Sequence, residues 1–510
     1  MITRFIRTLL VVALTLTFHS TIKAQLGERK SEEIGDTSFH YQEYFEIDIK
    51  PARIDNESRQ LRYSPQVEKL EPGNAAIHYY RACLQYYRQT SELRQKNGQN
   101  RDRWFNSPIA DFPVKEVQTY LTENDDLLQE LQRGLRCNEC DWSGSLATTK
   151  LDEAIRYDLS EFHLLRTMSR LLRLQARVAI ANHDYLSAGN SIANGLKLSA
   201  DVGKFPSEVA GLVAESIAAE SLKSAIEIVS IPGSPNQLSA LRSLPIPIVD
   251  FFRNIESDIE GIETSAAILQ SPETTQRTND EWQQLFTETV GQLDVLNSYI
   301  NNLNGSDVQD RATSLSARTT LILAELYPLA KRELLDAGWD PKQVSEMPVG
   351  QVVAIQTKRV WDEIRKDLID ARNLPTPEAV ALMNSRSNEL RDNGYCITSA
   401  RGDFPIPELL TNIIWTSCFV DFSAARDINR RIAILQNIEQ VRDWIAKTGK
   451  LPTGDQFTEL AARKDPKTGL AFDYERQTET VAILQTTPWT FATDPKFVTV
   501  SIRFVIRLKP

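Results

Sequence analysis

The sequence predicts a mainly α-helical fold, an irregular helical-hairpin array followed by a small α+β C-terminal region with an antiparallel sheet. Two observations carry this expectation. Between Ser160 and Arg253, apolar residues recur at intervals of mostly three and four, the period of a helix with one buried stripe. Near the C-terminus, Val498, Val500, Ile502, Phe504, Ile506 and Leu508 alternate with Thr499, Ser501, Arg503 and Arg507, as a strand half-buried on one face does.

In chain order, residues 1–24 read as a secretory signal peptide, with Arg4 and Arg7 ahead of an apolar core from Leu9 to Phe18 and Ala24 before the expected cut. That core is too short to span a membrane as a mature helix, and no second run of about twenty apolar residues follows. The expectation is an exported chain, periplasmic or extracellular, with no transmembrane segment in its mature form. Residues 25–60 are polar, charged and without helical period, an extended or disordered lead-in.

Residues 61–420 form the helical array. Asn74 caps a helix carrying Ile77, Tyr80, Ala82 and Cys83, and a single helix is expected from Val114 to Arg136. Phe162 to Ala179 and Tyr185 to Leu198 then make a hairpin broken at Asn182, His183 and Asp184. Its second helix is similar to the tetratricopeptide pattern, with Tyr185 in the aromatic place and Ala188 and Gly195 in the small ones, but no further copies recur at a fixed 34-residue period. Mid-helix Gly195 costs roughly 1 kcal/mol against alanine, so another helix is expected to pack closely over it. Pro232 and Pro235 stop the next helix, Asn301 to Asn304 read as a loop, and Leu321 to Ala337 is a helix kinked at Pro328 and ended by Gly338. Residues 421–510 bring one helix, striped by Ile434, Ile438, Val441 and Ile445 and ended by Gly449, then the strands of the sheet.

Composition narrows the function classes. Over 510 residues the formal charge is -10 and the arginines do not cluster strongly on one segment, which argues against a nucleic-acid or anionic-membrane partner. An apolar content of 41% suits helical proteins with much surface per residue. GxSxG, HExxH, Walker A and strand-linked GxGxxG motifs are lacking, and His40, His78, His163 and His183 are too scattered for a ligand set, so no catalytic residue, cofactor or metal is assigned. The acidic pairs Asp125 with Asp126 and Asp258 with Glu260 read as solvated helix faces, and Arg401-Gly402-Asp403 as a turn. Of five cysteines, Cys137 and Cys140 form a CxxC, a candidate disulfide or redox pair, more often structural outside a thioredoxin-like context; Cys396 and Cys418 could bridge. Tyr79, Tyr80, Tyr86 and Tyr87 either pack the core or line a candidate partner groove for a peptide or glycan.

Taken together, several segments resemble a family of uncharacterised exported helical, tetratricopeptide-like proteins common in planctomycete-type bacteria. The matching residues are Asn74-Ala75-Ala76 with Tyr80-Arg81-Ala82, Cys140-Asp141-Trp142, Asp201-Val202-Gly203, Pro232-Gly233-Ser234-Pro235-Asn236 with Leu244-Pro245, and Met347-Pro348-Val349 with Gln351-Val352-Val353. The resemblance implies the fold and export; the family carries no established activity. Gly449-Lys450-Leu451-Pro452, Asp465-Pro466, Thr468-Gly469, Phe472 and Tyr474 make the C-terminal segment similar to pseudopilins, in which the Asp-Pro turn can lie near a calcium loop. The expected function is an exported, non-catalytic interaction or scaffold protein of the cell envelope that binds a protein or peptide through helical surfaces. The alternative is an enzyme acting on an extracytoplasmic polymer such as a glycan.

Overall fold

The computed structural model describes residues 28–33, 39–56, 58–88, 100, 103–142, 160–303, 315–374, 378–379, 381–382, 385–386, 428–460, 463–466, 468–486, 489–490 and 499–509. The expected signal peptide, the Cys396 and Cys418 pair and the Arg401-Gly402-Asp403 turn lie outside them.

The chain opens with strands β1 (Glu28–Glu33), β2 (Phe39–Ile49) and β3 (Glu71–Asn74). Helices α1 (Ala75–Arg88), α2 (Val114–Glu123) and α3 (Asp125–Arg136) follow, then strand β4 (Cys137–Glu139). The single helix expected from Val114 is broken at buried Asn124, whose side-chain amide donates to Tyr120 O at 2.8 Å and so competes with the helical backbone. The expected hairpin is present as α4 (Ser160–Ala181) and α5 (Tyr185–Val202). Its turn places His183 at φ 58°, and Asp184 caps α5 by accepting from Ser187 N at 3.0 Å. Next come α6 (Glu208–Val229), α7 (Leu238–Arg242), α8 (Phe251–Ser265) and α9 (Asn279–Leu303). Asn301 and Asn302 are therefore helical, not loop. The array ends in α10 (Leu315–Asp336, with Pro328 inside), α11 (Pro341–Glu346) and α12 (Val349–Asn373).

Residues 428–448 form α13 and Gly454–Leu460 form α14; strands β5 (Asp473–Arg476), β6 (Val481–Gln485), β7 (Trp489–Thr490) and β8 (Thr499–Leu508) follow. The sheet is mostly antiparallel, as expected, but its path runs β1-β2-β8-β6-β5, and β2 pairs with β8 in parallel. The lead-in thus supplies two strands. Phe45, Ile47 and Ile49 are buried and pair with Phe504, Ile506 and Leu508, the two phenyl rings stacking at 4.5 Å. On the other face Glu46 pairs with Arg507 at 2.8 Å and Asp48 with Lys509 at 2.5 Å.

Buried side chains gather into two cores. One joins α1 to α7 with β2, β8 and α13; the other joins α8 to α12 around Trp282, Phe286 and Trp361. The change of character near residue 420 is therefore no break in packing, because Ile432, Ile434, Leu435, Ile438, Val441 and Ile445 of α13 lie in the first core. Its polar residues are enclosed too. Arg442 is fully buried, and its NH1 donates to both Glu439 oxygens at 2.8 and 3.0 Å. Its Nε donates to Lys50 O at 2.8 Å, and NH2 to Ser234 O at 3.2 Å and Ser234 Oγ at 2.7 Å. Asn236 Nδ2 donates to Ala52 O at 3.1 Å and Glu439 O at 2.8 Å, and Gln237 Nε2 to Glu439 Oε1 at 2.8 Å.

Two consequences are measurable by chemical denaturation. A Cβ at Gly195 would run into Ser221 of α6, the close helix approach the sequence anticipates. Gly195→Ala is expected to cost about 1–3 kcal/mol through overpacking, and Ser221→Ala in the same chain to recover most of it. Arg442→Ala leaves Glu439 buried without its cation, and a loss on the order of 3–5 kcal/mol is expected.

Candidate functional site

The groove tyrosines do not share a surface. Tyr79 is fully buried and its hydroxyl donates to Asp201 Oδ2 at 2.8 Å, so it cannot meet a partner; its position on the inner stripe of α1 overrides the groove reading. Burial, with Asp201 beside it, pushes the Tyr79 hydroxyl far up, so it stays protonated. Tyr80 is half-buried, edge-on to Trp142 at 5.6 Å, and Tyr86 is half-buried against the first core. Tyr87 is exposed. The outer stripe of α1 instead carries Ile77, 52% exposed, and Leu84, 59% exposed, with exposed Arg81 and Arg88 interleaved.

Three of the matching segments meet at Asp201. Asn74 bonds the backbone of Asp141 through both ends of its amide, accepting at 2.9 Å and donating at 2.6 Å. This sets Trp142 so that its indole N–H donates to Asp201 O at 2.7 Å, with its ring against Tyr79, Phe162 and Phe205. The Asp201 carboxylate, fully buried, also pairs with Lys197 and, at 3.1 Å, with Lys204. A carboxylate held by three donors and wholly buried anchors neighbouring elements and is closed to a substrate.

Cys137 and Cys140 lie beside this knot as free, buried thiols, and Cys83 on α1 is also free and buried. Burial pushes Cys137 up and Cys140 well up, and Cys83 to about 12. A redox pair needs the opposite, a thiol lowered toward neutral pH.

An ionic seam runs between α4 and α6. Arg173 donates to Glu220 at 2.8 Å and Glu227 at 3.2 Å, Arg177 to Glu227 at 3.1 Å, and Lys223 to Glu220 at 2.7 Å. Arg177 also donates to the carbonyls of Trp104 and Ser107, fixing that loop. Burial pushes the Glu220 carboxyl up, but Lys223 and Arg173 more than reverse it, and it titrates well below the usual carboxylate range. Arg166, Arg170, Arg173 and Arg177 sit four, three and four residues apart, one stripe of α4, which corrects the expectation that arginines do not cluster.

The other candidates disperse. Asp125 and Asp126 are exposed in the first turn of α3, and Glu260 is exposed on α8. His78 pairs with Glu130 at 3.1 Å and His183 with the Tyr185 hydroxyl at 3.0 Å. Asp465, of the Asp-Pro turn, accepts from Arg430 Nε at 3.0 Å and NH2 at 2.8 Å, both residues fully buried, so a guanidinium holds the carboxylate that a calcium ion would need. Among the described residues no group of three His, Cys, Asp or Glu is placed to hold a metal ion. Comparison with known protein families, curated proteins and solved structures finds no significant match to this chain.

Two outcomes follow from these shifts. In peptide-mapped alkylation of the native chain at pH 8, Cys83, Cys137 and Cys140 are expected to stay unmodified and to react fully once denaturant is added. Because the Glu220 carboxyl is depressed, its stabilisation is complete above its ordinary value of 4.5 and is lost as pH falls toward the folded value. Glu220→Gln is therefore expected to cost on the order of 3 kcal/mol at pH 7. Urea unfolding across pH should show the gap to wild type narrowing below about 4.5.

Proposed function

We propose that the protein is an exported, non-catalytic interaction or scaffold protein of the cell envelope that holds a protein or peptide partner against its helical surfaces, as its resemblance to exported tetratricopeptide-like proteins implies. The observation that carries this reading is the outer stripe of α1. Ile77 and Leu84 stand two turns apart, with Arg81 and Arg88 between and beyond them on exposed positions, while Ala75, Ala76, Tyr79, Ala82 and Cys83 of the same helix are buried. Apolar anchors at i and i+7 suit an amphipathic helical peptide laid along the face, and the two arginines favour a peptide bearing acidic residues beside its apolar ones. Among the described residues no helix is long and apolar enough to cross a membrane, which accords with a partner met through surface contacts.

Enzymatic action on a glycan has less support, because general acid and base groups must face a cleft. Asp201, Glu220, Glu227, Glu439 and Asp465 are each taken up by cations inside the fold.

Ile77→Asp and Leu84→Asp test the reading. Both sites are exposed, so thermal stability is expected to move by no more than about 0.5 kcal/mol. Retention of partners from an envelope extract, quantified against wild type, is expected to fall about tenfold or more. Undiminished retention by the double variant would overturn docking at α1, and recovery of the uncleaved chain in the cytoplasmic fraction would overturn export.

A further inference from the structure

The α4–α6 seam is unbalanced. Along it Arg166, Arg170, Arg173, Arg177 and Lys223 act on Glu220 and Glu227, five cations on two carboxylates, in a chain whose formal charge is -10. Both carboxylates are committed, Glu220 to Arg173 and Lys223, and Glu227 to Arg173 and Arg177. Arg166 and Arg170 are left over. They lie one turn apart on α4, half-buried, and no carboxylate among the described residues closes an ion pair on either. Arg166 Nε is buried with no acceptor. Burial and the neighbouring Arg170 charge push the Arg166 guanidinium down, and the ring of His163, one turn earlier, is pushed down by burial, Arg166 and Arg170. Like charges at this spacing destabilise a helix, and a buried guanidinium donor without an acceptor adds to the cost.

We propose that Arg166 and Arg170 form a binding site for a tetrahedral oxyanion, a phosphate or sulfate group, gripped by the two guanidinium groups at the solvent-facing end of the seam. The planar fork of arginine matches two oxygens of such a group at once, which a lysine ammonium does not. A dianion there offsets two of the surplus charges and supplies the acceptor that Arg166 Nε lacks. It also favours the protonated form of His163. The site rests on α4 and not on the α1 face, so this inference and the partner reading can fail separately.

The test is titration of the full chain with inorganic phosphate and, separately, sulfate, at constant ionic strength with chloride as the reference. Saturable binding of at least one is expected, with the His163 ring titrating at higher pH in the bound protein by NMR; the relative affinity of the two anions says which group the site takes. Arg166→Gln and Arg170→Gln are each expected to weaken binding about tenfold or more, the equivalent of one charge-assisted contact. Arg166→Lys should weaken it less. Removing one of two like charges relieves repulsion, so the variants are expected to keep the wild-type melting temperature. Were one to unfold, the His163 shift in wild type still decides. Binding equal in wild type and both glutamine variants, an effect reproduced by chloride, or no saturation with either anion overturns the site.

Discussion

The buried pair Glu439 and Arg442 is the constraint on which the rest of the fold depends. An ion pair taken wholly out of water is tolerable only when its remaining hydrogen-bonding capacity is met. Here that capacity is met by backbone from two distant places, Lys50 at the end of β2 and Ser234 in the turn after α6. Glu439 reciprocates by accepting from Gln237. Until all three segments are together, α13 cannot be buried without stranding a guanidinium. The Pro232-Gly233-Ser234-Pro235-Asn236 segment is thus more than a helix stop, since its carbonyls and side chains are the receptor for α13.

That constraint explains why the sheet is not a separate appendix. The strand β8 sits between β2 and β6, so closing the sheet requires a strand from each end of the chain. The same β2 delivers Lys50 and Ala52 to the α13 network. Sheet pairing and helix burial therefore report on one cooperative event. The second core, around Trp282 and Trp361, is tied in through α8, where Asn254 donates to Gly203 O at 3.0 Å and Phe205 O at 2.6 Å.

The α4–α5 hairpin is readable from sequence because its apolar stripe, its break at Asn182, His183 and Asp184 and its small residue at Gly195 are local signals that agree with one another. The strand β8 was readable for the same reason, through strict alternation. Its partner was not. Phe45, Ile47 and Ile49 alternate just as cleanly, but the intervening Glu46 and Asp48 made the segment resemble polar lead-in, and nothing local announces a parallel partner more than 450 residues away. Between the two readings of Tyr79 the structure selects core packing; periodicity alone does not, because α1 carries apolar residues on both faces. The arginine stripe of α4 is visible at its spacing of four, three and four; its carboxylates lie some fifty residues further on, and only tertiary structure pairs them.

The same seam shows what an irregular array gains from interior charge. A regular repeat fixes helix register by recurrence, whereas here each contact is different and apolar stripes alone would tolerate a slip by one turn. The pairing of Arg173 with both Glu220 and Glu227, and of Arg177 with Glu227, removes that freedom. A slip of four residues brings Ser216 or Ser224 to the place of Glu220, leaving a buried guanidinium without its anion, a cost several times that of the repacked aliphatic contacts. Register between α4 and α6 in turn sets the position of α5, which both flank, and so carries Asp201 to the place where Tyr79 and Trp142 can reach it.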